Sequence, residues 1–395
     1  MTKHITKFLM LALLLAIVPA AAFADGIKIL HGPYLQNVYE TEATIVWTTN
    51  QPSNGWVELV PDDGSNFYSE ERPQYFDTHI GIKRIGTVHA VRLTGLKPGT
   101  TYRYRIYSQE VLKREGWHIV WGYVAATDVF SKKPLKFTTN DSRKAETSFL
   151  MLNDIHNRID VMKQLLEAGG YKSKDAIIYN GDMVSILPDA ETLFTGFLDE
   201  SVKMFASEQS WYYVRGNHET RGTAAADFHS YICPQQPSLY YTWQQGPVFF
   251  IALDPGEDKP DNDLEYAGAN AYDPYRAEQA EWLKKVVQSE EYKNAKYRVV
   301  ICHVPPAKDA SGWHGDLEVK NKFIPVLNGT GVDVMLCGHY HQLLYYPTLE
   351  GADFPVLINS NNTYVAGETD NGKLKVKVCD AQGKVKLEKE YTAKR

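Results

Sequence analysis

The sequence predicts an α/β protein in two parts, an all-β sandwich followed by a larger β-sandwich flanked by helices. Three observations carry this expectation. Between Ile27 and about Thr139, short runs rich in Val, Thr, Tyr and Trp (EATIVWTT, GWVELV, HAVRLTGL, TTYRYRIYS, PLKFTT) are separated by turn clusters, the spacing of a sandwich. Beyond the polar linker DSRKAE (141–146), apolar strands alternate with amphipathic stretches. Five strand-like runs of this second part end in polar clusters, and ligands gather where strands end in such folds.

Taken in order, the chain opens with Lys3 and Lys7, an apolar run from Phe8 to Val18, and Ala22-Phe23-Ala24 before Asp25. A basic region, a short apolar region and an A-x-A site read as a secretory signal peptide over 1–24, cleaved near Ala24, too short to span a bilayer as a helix. The expectation is an exported chain, periplasmic or secreted, without a membrane anchor: no later segment is apolar enough to cross and no cysteine sits at the cleavage site to take a lipid. The leader holds two lysines and no acid, so its removal takes the formal charge from −6 to −8, which excludes broad affinity for nucleic acid. A phosphate-bearing ligand would then need local positive charge such as metal ions. The four cysteines, Cys233, Cys302, Cys337 and Cys379, can be bridged or free, with Cys302 and Cys337 in apolar runs that suit buried thiols.

The first domain is expected over 25–140. In GLKPGTTYRYRIYS, Tyr102, Tyr104 and Ile106 alternate with Arg103 and Arg105 after a Pro-Gly turn, predicting one buried and one wet face. This strand-turn-strand resembles a fibronectin type III domain. The second domain is expected over 146–365. TSFLMLND leads into RIDVMKQLLEAGG, whose Ile159, Met162, Leu165 and Leu166 recur at helical spacing; DAIIYNGD precedes the helical ETLFTGFLDESVKMF; SWYYVRGN, VFFIALD, YRVVICHV and VDVMLCGH follow as strands. The tail over 366–395 reads as a hairpin closing the domain, turning about Asp380 to Lys384.

The polar strand ends are Asn153-Asp154-Ile155-His156, Asn180-Gly181-Asp182, Arg215-Gly216-Asn217-His218-Glu219, Cys302-His303 and Gly338-His339-Tyr340-His341. Converging on one rim, these carboxylates, imidazoles and one amide make a ligand set for two metal ions. Two divalent cations about 3.5–4 Å apart need a shared anion to offset their repulsion, while neutral donors complete each shell and leave room for water and substrate. One aspartate must therefore be shared. Alternation along an extended strand would turn His339 and His341 to one side, and likewise Asp154 and His156, while Gly181, Gly216 and Gly338 let the backbone turn beside the ions.

In that order, Asp154-x-His156, Gly181-Asp182, Gly216-Asn217-His218-Glu219, His303 and Gly338-His339-x-His341 resemble the five-motif signature of calcineurin-like metallophosphoesterases. HGPYLQNVYETEATIVWTT likewise resembles the domain that precedes the catalytic domain in purple acid phosphatases. The resemblance implies a phosphohydrolase with Asp154, His156, Asp182 and His341 on one ion, and Asp182 bridging to a second held by Asn217, His303 and His339. It further implies a hydroxide between the ions as nucleophile, His218 as general acid for the leaving alkoxide, and a lesser role for Glu219 in orienting or tuning His218 or among the substrate contacts. One departure stands out. Purple enzymes carry a tyrosine ligand where this chain has Ser185, and lack the histidine found here at His156, which implies a colourless protein with two divalent ions, Mn, Zn or Fe.

Other residues are open to blander readings. A single GNH or GH dipeptide is an ordinary turn; only the five ordered motifs together argue for a site. His31, His79, His89 and His118 are expected to be structural or solvent-facing, while His229 and His314, in loops of the catalytic half, are candidates for substrate contact. Arg221 could hold phosphate with two hydrogen bonds or form a surface ion pair. ASGWHGD (310–316) has the composition of a substrate-lining loop, and Tyr340 should pack away from the metals. The expected activity is that of an acid-phosphatase-like phosphomonoesterase on a small phosphate ester. A phosphodiesterase or nucleotidase on the same core, or a non-enzymatic surface-binding protein, are the alternatives, and a leaving-group acid argues against the last.

Overall fold

The computed structural model describes residues 26–68, 71–128 and 132–393. The leader read at 1–24 lies outside them. The N-terminal part is a connected seven-stranded sheet whose spine is the 20-residue strand Glu42–Pro61. Two strands expected from the sequence are thus one. Its first half pairs with Gly86–Thr94 and its second half with Thr101–Glu115, and the register shifts between Thr48 and Ser53. Pro52 falls in that gap, where no ladder hydrogen bond is lost to its missing N–H.

The expected alternation at 102–106 holds only in part. Tyr102, Tyr104 and Ile106 are buried, but so is Arg105. Its guanidinium donates to the carbonyls of Thr127 (3.4 Å) and Lys132 (2.8 Å), so neighbouring backbone satisfies a charge that the strand pattern assigned to water.

The second part packs two six-stranded sheets face to face. In one, Trp211–Val214, Ala176–Asn180 and Ser148–Leu152 run parallel, followed by the antiparallel Thr363–Asp370, Lys373–Asp380 and Val385–Thr392. In the other, Val248–Leu253, Tyr297–Cys302, Val334–Cys337 and Val356–Ile358 are parallel, edged by Tyr241–Gln245 and Leu344–Tyr346. Phe149 meets Phe250 edge to face across the sheets at 5.4 Å between centroids, and Trp243 stacks on Tyr212 at 4.1 Å. The helix Ile159–Ala168 buries Met162, Leu165 and Leu166, the stripe its periodicity required. The tail turns through Asp380, whose carbonyl accepts from the Gly383 N–H at 2.9 Å, and its strands widen the first sheet beyond Thr363–Asp370. All four cysteines are buried and free.

The two parts touch through specific bonds. Tyr104 donates to the Ser207 carbonyl (2.7 Å), Tyr212 to that of Val38 (2.6 Å), and His31 pairs with Asp199 (3.0 Å) while stacking on Phe194 at 3.9 Å. Because the central strands of both sheets are parallel, their C-terminal ends open on the same rim, and the polar clusters follow there.

Candidate metal centre

The residues meant to share a strand face are not on strands. Strand hydrogen bonding stops at Leu152, Asn180 and Cys337, and Asp154, His156, Asp182, His339 and His341 all have positive φ, between 49° and 75°. Left-handed turns, not extended alternation, therefore set the one-residue gaps, and non-glycine residues adopt them at a cost of about 1–2 kcal/mol each. Bonds between the loops hold these turns: Asp154 N–H donates to Gly181 O (3.0 Å), His156 N–H to Asp182 O (2.9 Å), and Gly338 N–H to His303 O (2.9 Å). Gly181 is required twice. Its φ is +77°, and a Cβ there would lie 2.6 Å from Gly216 Cα and 2.5 Å from the His303 ring.

The donors form two groups joined by Asp182. In the first, His341 Nε2 lies 3.2 Å from Asp154 Oδ1 and 3.1 Å from His156 Nε2. In the second, His303 Nε2 lies 3.1 Å from Asp182 Oδ2, and His339 Nδ1 lies 3.1 Å from Asn217 Oδ1. Asp182 Oδ2 is also 3.8 Å from His156 Nε2, which places it between the groups. His303 Nδ1 donates to the Asn180 carbonyl (2.6 Å), leaving Nε2 as the lone-pair nitrogen.

Three buried atoms in this set, Asp154 Oδ1, His303 Nε2 and His339 Nε2, make no hydrogen bond of good geometry, although His341 Nε2 lies 3.2 Å from the first and Asp182 Oδ2 3.1 Å from the second. Orphaned buried donors or acceptors are rare, and here the first two face each other at 3.8 Å. The carboxylates demand positive charge: burial lowers the His303 imidazole, yet Asp182 and Asp154 override it and hold it up to about 10. His156 and His339 are neutral, pushed down to about 4 and about 3, chiefly by burial. Carboxylates short of cations beside neutral imidazoles suit divalent transition metals, so the residues fit the ions their pattern implies.

His218 stands at the edge of the group. Its Nδ1 donates to the Ser185 carbonyl (2.7 Å), so the residue that replaces the tyrosine contributes its backbone, and Nε2 points into a cleft of about 850 Å³. Glu219 does not face that cleft, contrary to its expected place among substrate contacts. It is fully buried and accepts from the N–H groups of Asp182 (2.9 Å), Met183 (2.8 Å) and Gly216 (2.9 Å) and from Tyr213 OH (2.8 Å), fastening two ligand loops together.

Arg221 lines the cleft but is not free. Its guanidinium grips Glu257 at 2.7 and 2.8 Å and Asp258 at 3.1 Å, and its Nη1 lies 3.3 Å from His218 Nε2. His314 also lines the cleft, bonded to Asp273 at 2.7 Å. Asp273, His314 and Glu318 form a third group of potential ligands, but Arg276 and Lys322 already pair with its acids. His229 does not line the cleft. Tyr340 turns its hydroxyl to Asp316 (2.6 Å), away from the donors, and Trp313 of the 310–316 loop borders the cleft, 58% exposed. Sequence reasoning passed over Asp258 and Lys259, which reach the cleft from the loop after Val248–Leu253. The signal was present: ALDPGED is a sixth polar strand end.

Residues 147–343 match the calcineurin-like phosphoesterase family, so the catalytic half of the chain is a domain of that metal-dependent class. Residues 32–122 match the purple acid phosphatase N-terminal domain, which makes the chain a purple-acid-phosphatase-like member of it. An uncharacterized protein of Mycobacterium tuberculosis is 24% identical over 359 residues, 82% of this chain and 63% of the relative. Purple acid phosphatase 18 of Arabidopsis thaliana is 28% identical over 155 residues, 36% of this chain and 32% of that protein. The chain thus spans less than two thirds of either relative. The purple acid phosphatase PPD1 of yellow lupin (Lupinus luteus) shares the fold, with a TM-score of 0.60 at 13% identity over 91% of this chain and 73% of that one.

Proposed function

We propose that the chain is an exported phosphomonoesterase of the acid-phosphatase type, working with two divalent transition-metal ions. One observation carries the reading: seven donor residues from five loops converge beside the cleft, with Asp154 Oδ1 and His303 Nε2 buried and unpartnered. Asp154, His156, Asp182 and His341 hold one ion, and Asp182, Asn217, His303 and His339 the other. Bound there, Mn, Zn or Fe supplies an activated water as nucleophile and neutralises charge on the phosphoryl oxygens.

The chain's own side chains do the rest. His218, pinned through Nδ1 to Ser185 O, holds Nε2 toward the leaving group and gives it a proton. Arg221, anchored by Glu257 and Asp258, directs Nη1 at the same side of the cleft. Trp313 and His314 border the space for the organic part of the ester. Export rests on the leader pattern at 1–24, and the N-terminal sequence of the mature chain tests it.

The activity is tested by loading the metal-free protein with Mn²⁺ or Zn²⁺ and measuring phosphate release from monoesters, diesters and nucleotides. Simple monoesters should be cleaved fastest. Diesters or nucleotides cleaved faster would replace the monoesterase assignment with the phosphodiesterase or nucleotidase reading of the same core.

A further inference from the structure

A metal-binding imidazole needs its second nitrogen satisfied, because the bond made there fixes the tautomer and the direction of the lone pair. His303 meets this need with backbone, its Nδ1 donating to Asn180 O at 2.6 Å, and the proposed acid His218 is fixed the same way, its Nδ1 donating to Ser185 O at 2.7 Å. His339 does not. Its Nδ1 faces the donor side, 3.1 Å from Asn217 Oδ1, while its Nε2 is buried and has no hydrogen-bond partner. The carboxylate facing that nitrogen is Asp258, with Oδ2 at 3.7 Å.

We propose that Asp258 is the outer carboxylate of His339: it accepts a hydrogen bond from Nε2–H and so aims the Nδ1 lone pair at the ion shared with Asp182, Asn217 and His303. The inference rests on the binuclear reading above and adds a positioning residue to it. At 3.7 Å the pair is short of a hydrogen bond by about 0.7 Å, a gap that a small rotation of ring or carboxylate closes. Among the described residues no acceptor lies in hydrogen-bonding geometry with Nε2.

Asp258 is held for this task. It is 6% exposed, and its Oδ1 accepts from Arg221 Nη2 at 3.1 Å, which leaves Oδ2 for His339. Its N–H donates to Glu257 Oε1 (2.8 Å) and its carbonyl accepts from Gly315 N–H (2.8 Å). Gly315 itself admits no side chain, since a Cβ there would lie 2.8 Å from Asp258 Cα. The loop is therefore clamped from both sides, with Arg221 taking only one of the two carboxylate oxygens. This gives the Arg221 ion pair a purpose beyond charge neutralisation, because the guanidinium orients Asp258 while its Nη1 lies 3.3 Å from His218.

The test is a calorimetric titration of the metal-free full chain with Mn²⁺, with metal content measured after gel filtration, for wild type, Asp258→Asn and Asp258→Ala. Loss of an outer partner of a ligating histidine typically weakens metal binding by roughly 10–100-fold. One of the two binding steps should weaken by about that factor in Asp258→Ala and less in Asp258→Asn, whose amide oxygen can still accept. The other step should stay within about twofold, and melting of the metal-free variants shows that they fold. Two ions bound with unchanged constants in both variants, or equal weakening of both steps, overturns the role of Asp258 alone. A wild-type chain that takes up fewer than two ions overturns the binuclear reading and this inference with it.

Discussion

Two buried histidines, one in each part of the molecule, show what separates a structural imidazole from a proposed metal ligand. His89, in the N-terminal sheet, stacks on Trp47 at 5.1 Å, and its Nε2 is met by Ser53 Oγ at 2.9 Å and Thr49 Oγ1 at 3.2 Å. His303 is just as buried and has its Nδ1 met by a carbonyl, but its Nε2 has no partner and faces two carboxylates. Burial and residue type are the same. The difference is whether the chain meets Nε2 with hydroxyls, as at His89, or leaves it without a well-formed hydrogen bond, as at His303.

The largest effect expected from this contrast is at Asp182, between the donor groups. Asp182→Asn removes the shared anion, so metal content and phosphate release should collapse together. A variant that keeps all its metal while losing activity would break the assignment of Asp182 as a bridge. Next comes His218→Ala, which should leave metal content unchanged and slow hydrolysis of alkyl phosphates by roughly 10²–10⁴-fold, the range for a general acid. Nitrophenyl phosphate should suffer less, since its leaving group departs with little help from a proton. Equal losses on both esters would reduce His218 to a phosphate contact.

The smallest effect is at His89, where burial pushes the ring down to about 4. The unfolded chain takes up this proton near pH 6.5 and the folded chain only near 4. The stability gained from a neutral His89 is therefore complete above pH 6.5 and declines as pH falls toward 4, by about 3 kcal/mol at most. Urea unfolding at pH 7 and pH 4.5 should show a smaller pH penalty in His89→Gln than in wild type, with the same metal content. Equal penalties would mean that His89 is not the titrating group.

Much of the site was legible because five polar clusters follow apolar runs in a fixed order, and parallel strands must bring such ends to one rim. The turn geometry was not. Nothing in Asp154, His339 or His341 marks them for positive φ, since their turns are imposed by bonds to other loops such as His156 N–H to Asp182 O. Glu219 reads as a cleft residue because it neighbours His218, whereas the four groups it binds come from two separated stretches of chain, 182–183 and 213–216. The expected exposure of Arg105 and the expected break within Glu42–Pro61 failed for a related reason. A period-two pattern reads one strand at a time, while the carbonyls that bury Arg105 and the register gap that tolerates Pro52 belong to neighbouring segments. Asp258 was missed because DPGED reads as a turn, and only folding carries it to His339.

On the function proposed above, the unfinished donors near the cleft hold two metal ions that the activity requires. Elemental analysis of the purified chain after chelation and after reconstitution with Mn²⁺ or Zn²⁺, with phosphate release measured on the same samples, tests this. About two ions per chain should return together with activity, and chelation should remove both. Full activity with one ion or none bound would contradict it.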